Sequence, residues 1–151
     1  MGKKMSEEKK RVGAGFGVLL MRDGKVLLGK RHDDAVKASS ALHGEGTWTL
    51  PGGKMEFHES LEEGGKREVK EETGIDVKKV SVIGVSNDMV SDAHFVTVHL
   101  MADEFEGEPR IMEPDEITTW QWFSLDSLPS PIYKPSEKML NNYKKQIFCS
   151  D

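Results

Sequence analysis

The sequence predicts a single domain of α/β or α+β class, and three observations carry that reading. Apolar residues alternate, or run between turn signals, over Val12 to Met21, Lys25 to Leu28, Val77 to Val85, His94 to Met101 and Thr118 to Phe123, as in strands. A capped helix opens at Ser60, and an amphipathic pattern over Ser136 to Phe148 closes the chain with a second helix. The length of 151 residues is that of one domain and is enough to bury a core.

Taken in order, Met1 to Arg11 is rich in Lys and Glu with nothing to bury, so residues 1–11 are expected to form a flexible tail and 12–149 the domain. Met1-Gly2 with Ser6 meets a minimal myristoylation pattern, a short and common one. The apolar run from Val12 follows basic residues as in a signal peptide, but Glu7 and Glu8 spoil the charged region and no cleavage site follows. Arg22-Asp23-Gly24 turns the first strand into the second, which ends near Lys30 and Arg31. His32 to Gly46 is small and polar without a lasting period, and reads as a loop over the site. Trp48 to Leu50 is a short strand leading into Pro51-Gly52-Gly53. Thr118 to Phe123 puts Trp120 and Trp122 on one face, and Ser124 to Pro129 reads as a brief helical turn.

The helix after Ser60 carries the functional signal. Ser60 with Glu63 forms a capping box. At about 100° per residue, Leu61, Gly64, Gly65, Glu68, Glu71 and Glu72 share one side, while Glu62, Glu63, Lys66, Lys70 and Thr73 share the other. An acidic helix is ordinarily a solvated face laced with ion pairs. Here Glu63, Lys66 and Lys70 already mark the solvent side, so Glu68, Glu71 and Glu72 point inward with Leu61. Carboxylates on adjacent inward turns repel and are costly to desolvate unless a cation neutralises them. Such hard oxygen donors suit Mg²⁺, or Mn²⁺, with substrate phosphates completing the shell. The glycine pair Gly64-Gly65 inside a helix costs about 1 kcal/mol per residue against alanine and implies close approach to a sheet.

Gly53, Glu59, Arg67, Glu68, Val69, Glu71, Glu72, Gly74 and Ile75 fill every fixed position of the Nudix box, G-x5-E-x7-R-E-U-x-E-E-x-G-U with U apolar. The chain therefore resembles the Nudix hydrolases. The resemblance implies the Nudix fold, a mixed β-sheet in an α/β/α sandwich with the box as loop, helix and loop. It also implies hydrolysis of a phosphoanhydride with Mg²⁺ held by Glu68, Glu71, Glu72 and the Gly52 carbonyl. Glu68, or a downstream loop glutamate for which Glu116 is favoured over Glu113, would be the general base, and the catalytic set is Glu68, Glu71 and Glu116. Gly53, Glu59 and Arg67 would support the site. Arg31 and Lys54 flank it as phosphate contacts, and Trp48 and Leu50, with Phe95 and Trp120, are candidates to meet the base.

Within the superfamily, Leu27-Leu28-Gly29-Lys30-Arg31, Leu50-Pro51-Gly52-Gly53 and the Glu113 to Trp122 stretch are similar to the MutT-type branch. That implies a nucleoside triphosphate, canonical or oxidised, cleaved to monophosphate and pyrophosphate. ADP-ribose or another nucleoside diphosphate derivative is the alternative substrate, and a non-catalytic nucleotide-binding module the alternative function. The His32 to Gly46 loop is longer than usual in that branch, and His58 replaces a common glycine.

Composition narrows the partners. A net charge of -5 argues against a protein that coats nucleic acid, which needs clustered Lys and Arg. Cys149 alone can form no internal disulfide, which suits a reducing compartment and a cytoplasmic location. The expected partner is a small-molecule nucleotide, not a membrane, with the chain a monomer or homodimer.

Overall fold

Alternation along one strand, Val12–Leu19 (β1), builds both halves of the molecule. In the computed structural model, which describes residues 10–38, 40 and 42–151, Phe16 and Val18 of β1 face one apolar cluster and Leu19 faces another. The remaining strands are Met21–Arg22 (β2), Lys25–Arg31 (β3), Trp48–Thr49 (β4), Gly52–Lys54 (β5), Asp76–Val90 (β6), Ala93–Glu106 (β7), Ile117–Ser124 (β8) and Cys149–Ser150 (β9). The helices are Ala35–Ala38 (α1), Leu61–Thr73 (α2) and Lys134–Lys145 (α3).

One sheet runs β5-β1-β7-β6-β9, and a second joins β2, β3 and β4 with β8 pairing β3. Pairing is mixed. β1 lies parallel to β7 and antiparallel to β5, while β6 and β7 form a long antiparallel hairpin. Val69 of α2 packs with Phe16, Val18 and Leu100 on one face of the larger sheet. Met139 and Leu140 of α3 pack with Leu19, Val26 and Leu28 on the other. This is the mixed sheet between helices that the sequence resemblance implies.

The helix ends follow the sequence. Ser60 Oγ accepts the Glu63 N–H at 3.1 Å, and Gly74, at φ 77°, closes α2 through its N–H to the Lys70 carbonyl. The two helical glycines bring α2 onto the sheet: a Cβ on Gly65 would sit 2.5 Å from Leu100 Cδ1, and one on Gly64 would strike the Phe16 ring.

Several expectations need correction. Thr73, placed on the solvent side, is fully buried, because its hydroxyl donates to the Val69 carbonyl and accepts the Ile75 N–H, so no water is needed. Leu61, expected inside, is 39 % exposed at the first turn. The stretch after Ser124 is a turn rather than helix, and α3 starts two residues early, with Pro135 in its first turn. The hairpin strands outrun their predicted limits, running on to Val90 and Glu106, with register shifts between Val77 and Gly84. The expected tail and the myristoylation pattern fall, for residues 1–9, outside the described residues.

Candidate active site

A cavity of about 820 Å³ opens at the β5 edge of the larger sheet, where α2 reaches it from one face and α3 from the other. Gly52, Gly53 and Lys54 place β5 against β1, with Gly53 opposite Phe16 and Gly52 opposite Gly17. A Cβ on Gly53 would lie 2.5 Å from Glu68 Oε2, so glycine lets the acidic helix approach the strand.

Glu68, Glu71 and Glu72 all line the cavity, as do Glu56, Glu113 and Glu116. Glu68 and Glu72 are each only 8 % exposed, whereas the Glu71 side chain is half-exposed. Burial pushes the Glu72 carboxyl well above the usual carboxylate range; the Gly52 N–H opposes this, and the charges of Glu68, Glu113 and Glu116 reinforce it. Burial likewise raises Glu68, with Arg67 pulling it back. Glu113 is raised by burial and by its carboxylate neighbours Glu116 and Glu71.

Arg67 organises this cluster. Its Nε donates to Glu59 Oε2, its Nη1 to Glu68 Oε1 at 2.8 Å and Glu71 Oε2 at 3.2 Å, and its Nη2 to Glu59 Oε1 at 2.9 Å and the Lys54 carbonyl at 3.1 Å. Glu59 is held below the usual range chiefly by that guanidinium and does not line the cavity. Gly52 N–H donates to Glu72 Oε1 at 2.7 Å, fixing the helix against the strand.

The donor set fits a hard divalent cation. Six carboxylates line the cavity against three cationic side chains, Arg31, Lys54 and Arg67, so a polyphosphate would meet net repulsion without added positive charge. Among the described residues no three acidic, His or Cys side chains already converge as a coordination shell. The reason is visible: Glu68 and Glu71 turn oxygens to Arg67, and Glu72 turns one to Gly52.

Other expected residues divide. Leu50, Lys54 and Phe95 line the cavity, with Lys54 Nζ 5.8 Å from the Phe95 ring centroid. Trp48 does not: on its two-residue strand Thr49 takes the cavity side, and the indole packs edge-on to Phe123, centroids 5.0 Å apart. Trp120 is core, its Nε1 buried and unpartnered. Arg31 lines the cavity, but its guanidinium stacks on Tyr133 and donates to the Gly44 carbonyl at 3.0 Å and the Ala38 carbonyl at 2.9 Å. It clasps the 32–46 loop, within which α1 forms and Val36, Ser40 and Leu42 wall the cavity.

Sequence reasoning missed the far end. There Gly15 and Gly17 form a floor without side chains, flanked by Thr97, Thr49, Ser136 and Met139. Its signal was available as small residues at every second position of β1.

Residues 11–143 match the family model for the NUDIX domain. The chain is 34% identical over 114 residues to an oxidized purine nucleoside triphosphate hydrolase from Danio rerio, covering 74% of this chain and 66% of that enzyme. It is 32% identical over 129 residues to an ADP-ribose pyrophosphatase from Methanocaldococcus jannaschii, covering 84% and 70%. Among solved structures, a MutT NUDIX hydrolase from Burkholderia pseudomallei superposes with a TM-score of 0.78 at 34% identity, over 87% of this chain and 98% of that one.

Proposed function

The chain belongs to the Nudix family, and from that premise we propose that it is a Mg²⁺-dependent pyrophosphohydrolase, residues 12–149 acting as one domain, that converts a nucleoside triphosphate to monophosphate and pyrophosphate. One observation carries the reading: a single cavity, of a size that encloses a nucleotide, joins an acidic helix at one end to a glycine-floored pocket at the other. The polyphosphate lies toward Glu68, Glu71 and Glu72, and the base lies on Gly15 and Gly17.

A bound Mg²⁺ supplies charge shielding of the phosphates and a lowered pKa for water. The protein's own part is positioning. Glu68, Glu71, Glu72 and the Gly52 carbonyl provide oxygen donors, and Arg67, braced by Glu59, holds Glu68 and Glu71 in orientation. Glu68 or Glu116 takes the proton from the attacking water, both lying on the cavity wall. Lys54 offers a cation to a phosphate oxygen. In-line attack at phosphorus needs little beyond this alignment and charge neutralisation.

A second reading, hydrolysis of ADP-ribose or a related diphosphate, is favoured by the likeness to the archaeal ADP-ribose pyrophosphatase. Chromatographic product analysis with Mg²⁺ and a panel of (d)NTPs, oxidised purine forms, ADP-ribose and NADH separates the two. Monophosphate plus pyrophosphate, abolished in Glu72→Gln, is the expected result. Cleavage of ADP-ribose alone would replace the first reading with the second, and no turnover despite binding would leave a nucleotide-binding module.

A further inference from the structure

Leu50, Pro51 and Gly52 carry the chain along the cavity toward its acidic end, and each is fastened to a different element. The Pro51 carbonyl accepts the Val18 N–H of β1 at 2.8 Å, the Gly52 N–H donates to Glu72 of α2 at 2.7 Å, and the Leu50 N–H donates to Ser136 Oγ of α3 at 3.0 Å. The first two accompany the pairing of β5 with β1 and the approach of the acidic helix. The third comes from a side chain with no role in the hydrolysis as proposed.

Its origin lies in the segment before α3. Residues 131–133 run parallel to β4, with the Trp48 N–H donating to the Pro131 carbonyl at 2.9 Å and the Tyr133 N–H to the Trp48 carbonyl at 2.8 Å. Continued, that ladder would pass the Leu50 N–H to the Tyr133 carbonyl. There α3 begins, and the Tyr133 carbonyl instead accepts the Glu137 N–H at 2.9 Å. Leu50 is only 4 % exposed, so its N–H needs a partner from the protein. Ser136, in the first turn of α3 and 6 % exposed, supplies the acceptor. Thr49 Oγ1 lies 3.0 Å from Ser136 Oγ and donates to the Leu50 carbonyl at 3.0 Å, so both polar groups of the Leu50 backbone end on side-chain hydroxyls. Pro51 follows with its φ fixed by the ring, and a shift at Leu50 is therefore passed on to Gly52.

We propose that Ser136 is a positioning residue for the metal site: from α3 it fixes Leu50, and through the Leu50–Gly52 segment it sets the place of the Gly52 carbonyl. This rests on the Mg²⁺-dependent reading above, in which that carbonyl is an oxygen donor to the cation.

The test is Mn²⁺ binding without nucleotide, followed by electron paramagnetic resonance. Ser136→Ala should weaken binding about 10-fold. Ser136→Thr, which keeps an Oγ, should stay near the wild type, as should Thr49→Val, which leaves the Leu50 N–H bonded to Ser136. A purely structural role for Ser136 would lower stability without changing the Mn²⁺ affinity of the folded protein. Should the alanine variant fail to fold, the wild type supplies a second measurement: coupling is reciprocal, so saturating Mg²⁺ should slow hydrogen exchange of the Leu50 amide, read by NMR. Unchanged Mn²⁺ affinity in folded Ser136→Ala, as large a loss in Thr49→Val, or Leu50 exchange indifferent to Mg²⁺ would overturn the proposal. A wild-type chain that binds no Mn²⁺ would fault the metal-dependent reading and this proposal with it, whereas equal binding by the wild type and Ser136→Ala faults this proposal alone.

Discussion

Glu72→Gln should make the metal-free protein more stable while removing its response to Mg²⁺. Glu72 is buried beside Glu68, Glu113 and Glu116, and its compensation is the 2.7 Å bond from the Gly52 N–H, which a glutamine oxygen can also accept. The substitution therefore removes an uncompensated buried charge and keeps the hydrogen bond, a gain on the order of 1–3 kcal/mol. The sign with pH follows from linkage. The folded-state carboxyl titrates above the unfolded one, so folding takes up a proton. That contribution is fully present below the ordinary carboxylate range and is lost as pH rises through the folded pKa. In EDTA the advantage of the variant should accordingly be near zero in acid and grow toward neutral pH. With Mg²⁺ at roughly 100 times its dissociation constant the wild type should gain about 2.7 kcal/mol and the variant far less. Urea denaturation from pH 4 to 8, with EDTA and with Mg²⁺, reads both effects. A variant less stable than wild type in EDTA at pH 7, or equally stabilised by Mg²⁺, would refute the reasoning.

Four other outcomes are expected. Arg67→Lys keeps a charge but cannot reproduce the fork to Glu59, Glu68 and the Lys54 carbonyl, so Mn²⁺ affinity measured by electron paramagnetic resonance should fall about 10–100-fold. Ser60→Ala removes the cap of α2 and should cost about 1 kcal/mol in urea denaturation, with m unchanged. His99 is held below the usual imidazole range first by burial and by Lys138, against the pull of Asp88. The unfolded chain therefore binds its proton first, and stability falls as pH drops below about 6.5; this slope should be smaller in His99→Gln. Arg31→Ala frees the 32–46 loop from its clasp on the Ala38 and Gly44 carbonyls, so KM should rise more than kcat falls, with faster amide exchange over 42–46.

The parts legible in the sequence are those whose physics is local. Ser60 and Glu63 announce a helix start because the cap closes within one turn, and the inward Glu68 and Glu72 of α2 follow from helical periodicity, whereas Glu71, expected inward with them, is half-exposed. Thr73 defeats the same periodicity, since a hydroxyl that bonds its own helix is polar by composition and apolar by behaviour. Trp48 was beyond reach for a different reason: a strand of two residues offers no alternation from which to read its side. Arg31 lines the cavity, but its partners Gly44 and Ala38 belong to a stretch in which the sequence shows no period. The hydrogen-bonded group of Ser86, Asp88, Thr97 and His99 left a faint trace, Ser86-x-Asp88 and Thr97-x-His99 at period two, meaningful only once the β6–β7 register is known.

The parallel pairing of β1 with β7 also sets an order in time. The β6–β7 hairpin joins neighbours in sequence and can close in microseconds. β1 must find Ala14 beside Val96 and Gly17 beside His99, across most of the chain, and loop-closure entropy makes that a late event. Ser86, Asp88, Thr97 and His99, all within the hairpin, thus come together before the glycine floor beside them forms. In pulse-labelled hydrogen exchange the amides of β6 and β7 should gain protection before those of β1, so that a refolding chain completes the hairpin before the strand that floors its cavity.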